Sequence, residues 1–375
     1  LRTVMDGEQD LNGEYILNEQ NAINQDAQGT AYNLDGTNDK IAAAHDADID
    51  ITTGDFSMYR EVYVPSLTAA ITLWEKWEDA GDYWYLQIET TGAITFKTAI
   101  ATVTKGHYTT AAGLVTAGTN VKIGFVSDRD GTKGQFYVNL LPVTTTETTA
   151  MAATSITNTG ALNWGFDGAT GYSEYEDQYG SLWNLAHSAA EVKDVKNIPF
   201  KWQYGSQTDL VTNGAFAADT DWGHDGGWTI AGGVGVSAGT QSAIASMNQN
   251  IGLTVGKDYR ISVDWARTSG TALIIAEYDG SSYITLDTIS ATGSGTETLE
   301  WTSVSSNGLI YFQVTGSWVG TIDNVSIVQL GAVALYTQDS ISETVWYDKA
   351  NGNDGAVTGA EVLNPQGEIL AFNGN

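Results

Sequence analysis

Short runs in which apolar and polar residues alternate, each closed by a turn signal, limit what this chain can fold into. From Phe56, apolar side chains fall at Phe56, Met58, Val62 and Val64, and only Arg60 breaks that face. In 83–89, Trp84, Leu86 and Ile88 share one face while Tyr83, Tyr85 and Gln87 share the other. Val121, Ile123 and Phe125 alternate, as do Tyr259, Ile261, Val263 and Trp265. A period of two places successive side chains on opposite faces of a strand. Forty-two glycines against four prolines, with abundant Thr, Val, Ile and Tyr, supply many tight turns between short strands. Long amphipathic helical patterns are nearly absent. The expectation is an all-β chain of tandem antiparallel β-sandwiches (jelly rolls), with 375 residues enough for two or three domains.

The formal charge of −29 makes nucleic acid and anionic membrane unfavourable partners, because phosphate backbones and lipid headgroups are repelled. Without cysteine, disulfide scaffolds, zinc–thiolate sites and thiol nucleophiles are excluded. No apolar run is long enough to span a bilayer, so membrane insertion is not expected. The chain starts at Leu1 rather than Met, which fits a processed product or a piece of a longer protein.

Residues 1–30 are polar and read as a lead-in with one edge strand near Glu14 to Leu17. Next come Tyr32-Asn-Leu-Asp35-Gly36, an acidic loop, and Gly54-Asp-Phe-Ser-Met. Later come Lys122-Ile-Gly-Phe-Val-Ser-Asp128-Arg-Asp-Gly131, Phe136-Tyr-Val-Asn139 and His187-Ser-Ala-Ala-Glu191-Val-Lys. Ser188 and Glu191 have capping-box spacing and predict a short helix. Over 31–203 this pattern resembles the laminin-G-like, concanavalin-A-like jelly-roll family. It departs from that family where Leu140 stands in place of the usual glycine after Asn139.

A polar break at 204–208 precedes Leu210-Val-Thr-Asn213-Gly-Ala-Phe216, Gly227-Trp228, Ile251-Gly-Leu-Thr-Val-Gly-Lys-Asp-Tyr259 and Gly320-Thr-Ile-Asp323-Asn-Val-Ser-Ile327. Over 208–330 these resemble the galactose-binding-like β-sandwich of carbohydrate-binding modules. The stretch 331–375 carries Thr344-Val-Trp346-Tyr-Asp348, Asn351-Gly-Asn-Asp-Gly355 and Phe372-Asn-Gly374. It resembles the start of another laminin-G-like domain, and also tails of tailed-bacteriophage structural proteins. Forty-five residues are too few to close a jelly roll, so this piece is either cut short or adds a strand to a neighbour.

Nothing positive supports an enzyme. Glu174-Tyr-Glu176 has the two-residue spacing of a glycosidase acid pair, but the third acid of the hydrolytic jelly-roll pattern is missing, and a solvated loop is the simpler reading. The four histidines have no metal-ligand spacing. Oxygen-rich turns suit calcium: Asp35, Asn38 and Asp39 beside one turn, with Glu176 and Asp177 later. Resemblance to both families implies a structural Ca2+ in each domain, involving Asp323 in the second. There Ala217 replaces the usual acid, and aspartates serving their own turns are the alternative throughout.

Sugar rings stack their C–H faces on indole and phenol rings. Trp74, Trp77, Tyr83 and Tyr85 in the first domain, with Trp222 and Trp318 flanked by Gly, Asp or Ser in the second, are the candidate carbohydrate-binding residues. Trp84, Trp228 and Trp265 read as core. The resemblances imply a non-catalytic, extracellular or virion-surface protein that binds cell-surface or extracellular glycans. A homo-oligomeric tail fibre or capsid decoration of a tailed phage, contacting other virion subunits, is the reading adopted. The accessory part of a secreted bacterial glycosidase or adhesin, or a purely structural subunit, are the rivals.

Overall fold

The computed structural model describes residues 31–129, 133–151, 155–167, 171–196, 198–241 and 243–363. The expected edge strand in 14–17 and the turn residues 130–132 lie outside them. The described chain is all-β, its strands joined by loops and three short 3-10 turns at Ala47–Ile49, Glu191–Asp194 and Phe200–Trp202. It divides into two compact units. One comprises 31–46, 57–181 and 334–363, the other Ala47–Phe56 and Leu182–Val333.

In the first unit, one run of antiparallel strands is Glu361–Leu363, Ala31–Asp35, Glu174–Trp183, Phe56–Val64, Thr119–Asp128, Lys133–Val138 and Leu141–Pro142. The other is Gly355–Thr358, Lys40–Ala43, Leu162–Trp164, Ile71–Trp77, Tyr83–Ile88, Ile94–Ile100, Val103–Thr110 and Thr145–Thr149. Their inward faces hold Met58, Phe125, Trp84, Leu86, Phe96 and Tyr108, all buried. The rings of Phe96 and Phe125 meet 4.5 Å apart. Alternation explains these positions, since each inward residue is two removed from the next.

The described strands of 332–363 are not a separate piece. Gly355–Thr358 pairs with Lys40–Ala43, and Glu361–Leu363 pairs with Ala31–Asp35. Trp346 is fully buried beside Tyr32, Tyr336 and Trp164. The Tyr32 hydroxyl donates to the Ser342 carbonyl at 2.6 Å. The Asn351-Gly-Asn-Asp-Gly run is a turn built on Asp348, whose carboxylate accepts the amides of Ala350, Asn351 and Asn353. These strands bury a tryptophan that no two-strand remnant could cover, which is why they complete an existing domain.

The second unit is a sandwich of two five-stranded antiparallel sheets. One runs Gly223–His224, Ala245–Asn250, Leu309–Val314, Leu273–Tyr278, Tyr283–Ile289. The other runs Trp228–Ala231, Val234–Ala238, Val319–Gln329, Asp258–Ser269, Gly293–Thr302. Met247, Ile261, Val263, Ile275, Phe312 and Ile327 fill the space between them. The capping box forms as spelled: Ser188 N donates to Glu191 Oε2 at 2.8 Å and Glu191 N to Ser188 Oγ at 3.4 Å. It sits in the second unit and starts a 3-10 turn.

Candidate functional site

A row of three aromatic rings stands on the outer face of the first unit. Ile71–Trp77 and Tyr83–Ile88 form a hairpin whose register sets Trp77 opposite Tyr83, Glu75 opposite Tyr85 and Thr72 opposite Gln87. A bulge between Thr72 and Trp74 shifts the alternation, so Thr72 joins Glu75 and Trp77 on the outer face while Trp74 turns inward. The turn is tied by Asp79, whose Oδ1 accepts the amides of Gly81 at 2.6 Å and Asp82 at 3.1 Å. Trp77 and Tyr83 lie 5.3 Å apart at 18°, and Tyr83 and Tyr85 5.9 Å apart at 9°. All three are half-buried.

Beside this row is an open pocket of about 280 Å³, lined by Thr72, Glu75, Trp77, Tyr85, Gln87 and Asp167 among others. Gln87 Nε2 donates to Thr72 Oγ1 at 3.3 Å. Asp167 is held in place by Gly171, whose amide donates to its Oδ1 at 2.7 Å. Glu75 is 3% exposed, and its Oε2 has no hydrogen-bond partner. Burial, with the Asp167 charge adding to it, pushes the Glu75 carboxyl up to about 8. Burial likewise pushes the Tyr85 phenol up to about 12. The arrangement offers apolar ring surface next to a carboxyl, an amide and a hydroxyl, all within one small concavity.

Of the residues singled out from the sequence, Trp77, Tyr83 and Tyr85 come together here. Trp74 does not: it is fully buried, edge-on to Trp164 at 6.0 Å and under the Arg60 guanidinium. Trp222 and Trp318 are not exposed either. Trp222 packs on Phe216 and Phe312 and donates its Nε1–H to the Asn213 carbonyl at 3.1 Å. Trp318 is fully buried against Trp228. Their small polar neighbours mark turns, but an indole is long enough to reach the core from a turn. Glu75, Gln87, Thr72 and Asp167 were not singled out. Glu75 was legible as an acid inside an apolar strand and two residues from Trp77.

The expected calcium ligands do not converge. Asp35 Oδ1 accepts the Thr37 amide at 2.8 Å and Asp39 Oδ2 the Asp35 amide at 2.9 Å, so both serve their own turn. Glu176 and Asp177 are neighbours on one strand and point to opposite faces. Asp177 is fully buried, with its Oδ2 on Arg60 and near the Tyr175 hydroxyl. Asp323 Oδ1 accepts the amide of Asn324 at 2.7 Å, and Asn38 is exposed. Among the described residues no group of three His, Asp or Glu side chains is placed to hold a metal ion. Glu174 and Glu176 share the strand Glu174–Trp183 rather than a loop, with Glu174 exposed and Tyr175 buried between them.

The second unit carries an aromatic cluster of its own. Tyr278, Tyr283 and Tyr311 meet with centroids 4.9–6.2 Å apart on the outer face of one sheet, and Tyr283 is 48% exposed. Gln313, two residues from Tyr311, is buried with its Nε2 unpartnered. The alternation of Tyr311 and Gln313 carried that signal in the sequence. Elsewhere in this unit, Trp183, His187 and Trp202 line a pocket of about 310 Å³. Burial pushes the His187 imidazole down to about 4, which keeps it neutral.

No protein-family model matches the chain, and no curated protein matches it in sequence. Solved structures give partial likenesses. The heptameric SAP-like pentraxin of Limulus polyphemus is 12% identical over 45% of this chain and 82% of its own, with a TM-score of 0.34. The CBM40 of Ruminococcus gnavus IT-sialidase is 10% identical over 44% of this chain and 97% of its own, with a TM-score of 0.34. Domains LG4-5 of the mouse laminin alpha1 chain are 13% identical over 81% of this chain and 91% of theirs, with a TM-score of 0.33. Likenesses of this strength leave the chemistry of the site to its own geometry.

Proposed function

We propose that this chain is a non-catalytic glycan-binding protein whose first unit seats a saccharide ring against Trp77, Tyr83 and Tyr85. The observation that carries this reading is the near-parallel ring row bordering a concavity that holds a buried, unpartnered Glu75 oxygen. Aromatic rings meet sugar C–H faces, and Glu75, Gln87, Thr72 and Asp167 meet hydroxyls. A pocket of about 280 Å³ suits one ring rather than a long chain, being just below the roughly 300–1,000 Å³ of small-molecule sites. The Tyr278, Tyr283 and Tyr311 cluster with Gln313 supports a second contact surface on the other unit.

The setting adopted is an exposed virion appendage of a tailed phage. It rests on the sequence resemblance, as does its rival, an accessory portion of a secreted bacterial glycosidase or adhesin. A glycan array probed with the full chain tests the function. Binding that falls at least tenfold in Trp77→Ala, with the melting temperature kept, is expected. An array without any signal overturns it and favours a structural subunit, in which the aromatic surfaces are oligomer contacts.

A further inference from the structure

The pocket beside the ring row is acidic. Among the described residues that line it, the ionisable acids are Glu75 and Asp167, and the rest are aromatic, hydroxyl, amide or methyl groups. Lys97, the next residue across the sheet from Tyr85, is not among the lining residues and holds its Nζ 5.9 Å from the centre of the Tyr83 ring. No Lys, Arg or His among the described lining residues is positioned to receive an anion.

We infer that this pocket selects an uncharged, hydroxyl-rich saccharide unit and rejects the same unit when it carries a carboxylate or sulfate. The inference rests on the glycan-binding reading and adds the ligand class to it. Two features carry it. The Asp167 carboxylate stands at the pocket wall, where an anionic ligand is repelled. The Glu75 Oε2 is buried and has no partner, so a ligand group that brings a donor to it gains a hydrogen bond. A sugar hydroxyl both donates and accepts and satisfies that oxygen whether or not the carboxyl holds its proton. A ligand carboxylate only accepts, so it leaves the acceptor sites of that oxygen unmet and adds a like charge beside Asp167. The overall charge of −29 adds a repulsive field of the same sign.

The test uses an array of neutral oligosaccharides, each printed beside its sialylated and sulfated derivatives, with the full chain as probe. Neutral forms bound at least tenfold better than their acidic derivatives are expected, with the gap narrowing in Asp167→Asn. The amide side chain still offers an oxygen to the Gly171 amide. Titration of one neutral and one sialylated member at rising salt gives a measurement that needs no variant. Salt is expected to strengthen the acidic ligand and leave the neutral one unchanged. Acidic forms bound as well as neutral ones overturn the inference while leaving glycan binding intact. A neutral preference that Asp167→Asn does not narrow overturns the assignment to this pocket. An array without signal overturns the glycan reading, and this inference with it.

Discussion

The guanidinium of Arg60 and the carboxyl of Asp177 meet in the middle of the first unit with both side chains fully buried. Arg60 lies on the inward face of its strand and is walled by Trp74, Trp164 and Trp346 at 4.8–5.9 Å. Burial pushes the Asp177 carboxyl up against the opposing pull of Arg60 and Tyr175. Removing one partner leaves the other uncompensated, so Arg60→Ala is expected to cost about 3–5 kcal/mol. Replacing both at once, as Arg60→Met with Asp177→Leu, is expected to recover most of that loss. Urea denaturation followed by tryptophan fluorescence measures both. A double variant as unstable as the single one would show that the packing of Arg60 on the indoles, rather than charge pairing, holds this region.

The same pair shows what could be read from the chain and what could not. Arg60 was visible as the lone break in an apolar face, because alternation is a local property. Its partner lies 117 residues away, and local spacing says nothing about pairing over that distance. Trp77, Tyr83 and Tyr85 were legible because a hairpin brings them together within nine residues. Trp74 lies three residues from Trp77 on an unbroken stretch of the strand, so alternation sets the two on opposite faces, and grouping them by nearness in sequence misplaced Trp74. The strands after 331 looked detached because their partners, Ala31–Asp35 and Lys40–Ala43, lie at the other end of the sequence. Glu176 and Asp177 are adjacent in sequence yet face opposite ways, and treating them as joint ligands ignored that parity.

Glu75 makes stability depend on pH. Its folded-state carboxyl, raised to about 8 by burial first and by Asp167 second, lies above the ordinary value near 4.3 of an exposed glutamate. The folded state therefore holds this proton more tightly than the unfolded one. The associated stability is fully present below about pH 4 and is lost as pH rises from there through about 8. The melting temperature is expected to fall between pH 5 and pH 9, and to fall less in Glu75→Gln, which keeps the shape without the titration. Parallel profiles for the two proteins would show that Glu75 titrates as an exposed acid.

The hairpin after Val138 carries local strain. Lys133–Val138 turns into Leu141–Pro142 through Asn139 at φ 50° and Leu140 at φ 65°. Two consecutive left-handed residues are the geometry of an Asn-Gly turn, and here the second is a leucine. A side chain in that conformation costs about 1–2 kcal/mol, part of which the greater freedom of an unfolded glycine offsets. Leu140→Gly is expected to stabilise the first unit by up to about 1 kcal/mol. Loss of stability in that variant would show that the half-buried leucine contributes more by packing than the turn costs.

Trp77 and Trp318 separate binding from folding. Trp77 is half-buried on the outer face, with a stacked neighbour on one side and the pocket beside it. Trp318 is fully buried in the second unit, and its carbonyl accepts the Ser237 hydroxyl at 3.0 Å. Trp318→Ala is expected to lose about 3–5 kcal/mol of stability, as large-to-small changes at buried aromatics do. In a sample held below its melting temperature, glycan affinity at the first unit is unchanged. Trp77→Ala is expected to do the reverse, costing about 2 kcal/mol of binding, as central aromatic anchors do, with little change in melting temperature. Calorimetric titration with an array-identified glycan, run beside a thermal melt for each variant, reads both quantities. If Trp318→Ala abolishes binding while the fold persists, the ligand site lies on the second unit rather than on the ring row.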